Sequence, residues 1–171
     1  MAEIANAAEV SLNAVYALFK GKEELYEAVV HAAVATIRDR VQVQMEGCSD
    51  PAEKLLLVID ALFDCFGEYE HLLKIYARAT HGLPWRVRQA LGPESADVMQ
   101  AFASWLQRIA VDAKKRGRLG SLDPEAVSLA LIGAVTTTAA QWVDSSSKRP
   151  LSEAAPRVRA LFEALLTEAP R

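Results

Sequence analysis

Helix breakers and cysteine are both scarce in this chain. Its 171 residues include eight glycines, seven prolines and two cysteines, Cys48 and Cys65. So little glycine and proline leaves no room for a collagen-like or low-complexity architecture. Two cysteines without CxxC spacing exclude a zinc knuckle and a disulfide framework, so a reduced, cytoplasmic protein without a metal site is expected. Also missing are a Gly-rich phosphate loop, a GxSxG elbow and an HExxH pair, the usual carriers of phosphate, acyl and zinc chemistry. Glu68 and His71 form one Glu-x-x-His, an element that di-iron bundles use twice, and no second copy occurs. Neither an enzyme nor a cofactor is expected. The net charge of −3 excludes a protein that coats nucleic acid wholesale and leaves only local DNA contact. No positively charged leader precedes an apolar run at the start, so secretion is not expected. The uncharged run 126–143 is about long enough to span a bilayer. It carries Ser128, Thr136, Thr137, Thr138 and Gln141 and is rich in alanine, so it is read as a buried or subunit-facing helix, with no membrane partner.

What is present is apolar and periodic. Hydrophobic residues make up 51% of the chain, and they recur at three and four rather than at two, the pattern of an all-α globule. Residues 2–8 predict a short helix with Ile4, Ala5 and Ala8 on one face. Ser11 is a candidate N-cap for a second short helix, in which Val15 and Phe19 share a face. A third helix opens at Lys22, with Glu23 and Glu24 placed against its positive end, and runs to about residue 45. Two short helices joined by a tight turn form a helix-turn-helix, whose second helix fits a major groove.

Further along, Asp50 is a candidate N-cap with Pro51 at the first helical position. Leu55, Leu56, Ile59, Leu62, Phe63 and Phe66 then make one broad apolar face, ending near Gly67. A shorter helix is expected from 72 to about 79, broken at 81–84, and 92–93 breaks the next piece. A long helix over 94–116 turns Val98, Met99, Phe102, Leu106, Ile109 and Ala113 inward and stops at Gly117. The penultimate helix runs from 124 to about 144, and 145–150 is a polar linker. A final helix spans 151 to about 168, with Val158, Leu161, Leu165 and Leu166 on its face and Pro156 in its first turns.

Ile4-Ala5, Ala8, Val10-Ser11, Val15-Tyr16, Phe19, Lys22-Glu23 and Leu25 stand in the order and spacing of the TetR-type bacterial transcriptional regulators, which this chain resembles. Downstream, Arg116-Gly117-Arg118-Leu119 followed by Asp123-Pro124-Glu125-Ala126 is similar to the lead-in to that family's eighth helix. The resemblance implies a partial helix-turn-helix domain at 1–28 and a helical ligand-binding and dimerisation domain at 29–171. Family members place a further helix before the first one seen here. Either the protein begins upstream of this methionine, or the head is a remnant that has lost DNA binding. Glu9 stands where the family usually has glycine, just past a helix end, and Leu18 where a polar residue is common. Five glutamates against two lysines leave residues 1–31 at −3, whereas phosphate contact favours a positive face.

By the same resemblance, the DNA-binding residues are Ser11, Leu12, Asn13, Ala14, Tyr16, Ala17 and Lys22, facing a palindromic double-stranded operator. Asn13 is the one able to read adenine through paired hydrogen bonds, while Tyr16 and Lys22 match phosphate-holding positions. A small apolar or aromatic effector is expected among Phe63, Phe66, Tyr76, Trp85, Met99, Phe102, Trp105 and Trp142, which are otherwise plain core. His71 and His81 are candidate polar contacts. Leu129, Ile132, Val135, Thr136 and Ala139, with Leu161 and Leu165, are expected to form a two-fold four-helix homodimer interface, the alternative being intrachain core. The implied function is a transcriptional regulator, a repressor released by its effector. The alternative is a homodimeric ligand-binding or interaction protein that no longer binds DNA. The basic cluster Lys114, Lys115, Arg116 and Arg118 reads as a solvated helix end.

Overall fold

The computed structural model describes residues 1–83, 86–145 and 149–166. Among them every regular element is helical. In chain order these are α1 Ala2–Ala7, α2 Leu12–Leu18, α3 Lys22–Gln44, α4 Pro51–Glu68, α5 Glu70–Thr80, α6 Val87–Leu91, α7 Pro93–Lys115, α8 Pro124–Asp144 and α9 Ala155–Leu165.

Helix starts follow local chemistry. Ser11, Asp50 and Asp123 each accept a hydrogen bond from an amide in the first turn, Ser11 from Ala14 at 3.1 Å, Asp50 from Ala52 at 3.0 Å and Asp123 from Ala126 at 2.9 Å. Proline stands at the start of α4, α7 and α8, where its missing N–H costs nothing. The final helix departs from expectation. Residues Leu151–Ala154 form a 3₁₀ turn, and α9 begins only at Ala155, with Pro156 in its first turn. A proline cannot donate into a preceding helical turn, so it sits at a helix start rather than inside one. The break expected before residue 72 is also narrower: Tyr69 alone separates α4 from α5.

The core belongs to the body. Leu55, Ile59 and Phe63 of α4, Leu106 and Ala110 of α7, Leu131 and Val135 of α8, and Phe162 of α9 pack together, all of them almost wholly buried. α8 is apolar on every side and long enough to cross a membrane by length and composition, yet it packs against α4, α5 and α7 inside the bundle. α5 ends close against α8. Gly82, at φ +72°, has no room for a side chain, since a Cβ there would meet the Ala140 Cβ at 2.5 Å.

α3 joins two regions of unequal packing. It packs on α4 and α7, with Glu27 in its first half against Gly92 at the start of α7. At its first residues it carries α1 and α2, which pack on each other and hardly on the rest of the body. The boundary drawn at residue 28 therefore falls inside one continuous helix.

Candidate functional site

The head is a helical hairpin with a two-residue interior, Ala5 and Val15. Ile4, Val10, Leu12 and Leu18 are exposed around it. Three hydrogen bonds shape its turns. The Glu9 amide donates to Asn6 and the Val10 amide to Ala5, closing α1 with Glu9 in the left-handed region at φ +56°. The Lys20 amide donates to the Glu24 carboxylate at 2.5 Å, which sets the corner between α2 and α3. On α2, Leu12, Asn13, Ala14, Tyr16 and Ala17 all face solvent, with Tyr16 51% exposed. Lys22 is exposed at the start of α3. The seven expected DNA-facing residues are all exposed, and Ser11 serves α2 as its N-cap.

The body holds a cavity of about 100 Å³ between α3 and α5. Tyr26, Val29, Val30, Ala33, Val34 and Ile37 of α3 form one wall, and Tyr69, Leu72, Leu73, Ile75 and Tyr76 form the other. Its floor is Leu62 and Phe66 of α4, Met99 and Phe102 of α7, and Ile132 and Thr136 of α8. α3 and α5 do not pack on each other to any extent, so the cavity is the gap they leave. Thr136 spends its hydroxyl on the Ile132 carbonyl at 2.8 Å. Burial pushes the Tyr26 and Tyr76 phenols above their ordinary range, which keeps both protonated.

Of the expected effector residues, Phe66, Tyr76, Met99 and Phe102 line this cavity. Phe63 and Trp142 line a different, surface groove of about 390 Å³ with Asp64, Gly67, Glu70 and Ser152. Phe63 is fully buried in the core there, and the Trp142 indole donates to the Arg149 carbonyl at 2.7 Å. Trp105 stacks at a tilt on Phe102, centroids 5.5 Å apart, behind the cavity rather than on its wall. Trp85 lies outside the described residues. His71 and His81 are exposed and line neither cavity. The α3 wall is not among the expected effector residues, although the apolar stripe of α3 at 26, 29, 30, 33, 34 and 37 carries the three-and-four spacing.

The expected dimer face divides in the same way. Leu129, Leu161 and Leu165 are exposed, the first two at 64% and 55%. Ile132, Val135, Thr136 and Ala139 are not available as surface: they are buried inside the protomer, Val135 and Ala139 completely. The 3.6 period leaves Ile132, Thr136 and Ala139 within a quarter turn of Leu129, yet they are covered within the protomer, where α8 packs on α4, α5 and α7.

Other charged candidates are structural. Glu68 accepts two hydrogen bonds from Arg40, one of 2.8 Å from its Nη2, and does not join His71 in a ligand set. The Arg40 guanidinium also lies over the Tyr69 ring, 5.6 Å from its centroid. Lys114 donates to the Gly120 and Leu122 carbonyls, Arg116 to Ser49, and Arg118 pairs with Asp50 at 3.1 Å. The Lys114 bonds fold the turn after α7 back on that helix, and the Arg116 and Arg118 contacts tie it to the start of α4.

Residues 1–29 match the sequence family described as bacterial regulatory proteins, tetR family. No curated protein matches the chain at a significant level. Among solved structures, the fatty acid degradation regulator FadR of Bacillus halodurans superposes with a TM-score of 0.80 at 20% identity, covering 94% of this chain and 82% of that one. FadR of Bacillus subtilis, solved in complex with stearoyl-CoA, gives a TM-score of 0.80 at 20% identity over 94% of this chain and 85% of that one. The ketosteroid transcriptional regulator KstR2 of Mycobacterium tuberculosis gives 0.72 at 16% identity over 98% and 84%. The fold is the all-α TetR-type architecture, and the family match lies at its start.

Proposed function

We propose that this chain, built on a TetR-type fold, is a DNA-binding transcriptional regulator: a homodimeric repressor released by a small apolar or aromatic effector. The reading rests above all on the course of α3, which bears the α1–α2 hairpin at its first residues and walls the apolar cavity along its middle. In this reading α2 enters a major groove. Asn13 reads a base edge, Tyr16 and Lys22 hold phosphates, and Leu12, Ala14 and Ala17 supply the close apolar surface. Two-fold symmetry sets the recognition helices about 34 to 36 Å apart on a palindromic operator. Leu129, Leu161 and Leu165 are the exposed apolar residues that such a dimer buries.

An effector lodged between α3 and α5 tilts α3 and so respaces the two heads. It acts only to the extent that it binds the released form better. The cavity of about 100 Å³ admits a small ligand as it stands. A long acyl chain, such as that of the ligand bound to the Bacillus subtilis neighbour, requires the α3–α5 gap to widen.

The head's five glutamates against two lysines favour a second reading, a homodimeric ligand-binding or interaction protein that does not bind DNA. Fluorescence anisotropy with duplex taken from upstream of the gene separates the two. Under the regulator reading the Tyr16→Ala, Lys22→Ala chain binds about tenfold or more weakly and the salt slope falls by about one. The Leu129→Glu, Leu161→Glu chain becomes monomeric and loses operator affinity with it. Binding that is equally weak for operator and random duplex, and indifferent to Tyr16 and Lys22, supports the second reading.

A further inference from the structure

We infer that the effector of the α3–α5 cavity carries an oxygen acceptor that bridges Tyr26 on one wall and Tyr76 on the other; this rests on the cavity being the effector site. Both residues line an otherwise apolar cavity, and both hydroxyls are buried without a hydrogen-bond partner. The Thr80 hydroxyl beside Tyr76 spends its one proton on the Tyr76 carbonyl at 2.8 Å and accepts from the Gly82 amide at 3.2 Å, so it has no proton for the phenol oxygen and can offer the phenol only its remaining lone pair. A buried hydroxyl with no partner costs free energy that a pure hydrocarbon ligand cannot recover. The two orphans also stand on the two helices whose separation defines the cavity.

A ligand large enough to part α3 from α5 brings both hydroxyls to the cavity surface, where one carbonyl oxygen, with its two lone pairs, accepts from both. Such a ligand ties α3 to the body across a gap that the protein itself leaves unbridged. A hydrocarbon of the same shape fills the space without making the tie. Discrimination is then strong, because a site built to hydrogen-bond its ligand rejects the analogue that lacks the group.

Acetophenone and α-methylstyrene test this, since they share a shape and differ by oxygen in place of a methylene group. Calorimetric titration of the full chain is made with each probe, on the wild type and on Tyr26→Phe and Tyr76→Phe. The expected result is a loss of about five- to tenfold in acetophenone affinity for each variant, with α-methylstyrene affinity held or improved. Without ligand, each Phe variant melts at the wild-type temperature or about 2 to 4 °C above it, which shows that the loss is not one of folding. If both probes bind and both variants shift them equally, the bridging inference is overturned while the cavity remains the effector site. If neither probe binds, the effector-site reading falls and the inference falls with it.

Discussion

α1 and α7 end in the same way and differ in the residue that makes the ending possible. α7 closes with the Gly117 amide on Lys114 and the Arg118 amide on Ala113, Gly117 standing at φ +73°. α1 closes with the Glu9 amide on Asn6 and the Val10 amide on Ala5, Glu9 standing at φ +56°. A left-handed conformation is free for glycine and costs a side-chain-bearing residue about 1 kcal/mol or more. α7 meets its ending with glycine and then anchors on a core that spans four helices. α1 carries the strain with only Ala5 and Val15 buried between it and α2. The body is held by apolar burial, whereas the head is held by its turns. The element proposed to meet DNA is therefore the one with the lowest local stability, as mobile functional elements commonly are.

The largest test of that contrast is in the body. Phe63→Ala empties a fully buried site on α4 near Trp142 and Leu151 and is expected to cost about 3 to 5 kcal/mol, read as a lower denaturant midpoint of the whole chain. An effect below about 1 kcal/mol would mean that this core is not what holds the body together. Val15→Ala makes the same kind of change in the head. It removes about 1.5 kcal/mol of burial, on the order of the whole local interior. Its signature is different: amide exchange across α1 and α2 speeds up and DNA affinity falls, while the main melting transition stays within about 1 °C. A matching drop in the main transition would show that head and body unfold together.

Glu9→Gly is expected to strengthen the head by about 0.5 to 1 kcal/mol, strain relieved less the chain entropy that glycine loses. Slower amide exchange in α1 checks it, and unchanged exchange would place the strain elsewhere. The smallest effect is electrostatic and lies where α3 meets α4. Hydrogen bonds from Arg40 hold the Glu68 carboxyl below its ordinary value. A lowered folded value stabilises above the unfolded pKa of about 4.3 and is lost as pH falls through the lowered one. Arg40→Gln should therefore leave stability at pH 7 little changed and flatten its decline below about pH 4. Both side chains are half exposed, so the change is small. A wild-type acid profile that Arg40→Gln does not alter would show that this pair contributes nothing to the α3–α4 contact.

Much of the molecule is legible from its residues. Ser11, Asp50 and Asp123 mark helix starts, Gly117 marks a stop, and the left-handed turn at Glu9 is readable because the motif places it just past α1. The candidate DNA face is legible for the same reason, since a seven-residue helix has one exposed side and the motif says which. The candidate effector cavity is half legible. Phe66, Tyr76, Met99 and Phe102 stand out by type, whereas Val29, Val30 and Ala33 look like any helix interior until α5 is seen to stand off from α3.

Local chemistry determined which segments are helices, where most of them begin and end, and which face of the short α2 looks outward, because caps, prolines, left-handed turns and amphipathic spacing act within a few residues. Only the tertiary structure decided which stripe of α8 is core and which is surface, and that Phe63 and Trp142 belong to one groove while Phe66 and Tyr76 belong to another. α8 is apolar all round and so encodes no preferred inward face by itself. Its orientation is set by which neighbours fill the space beside it, and that choice is made by residues far away in the chain.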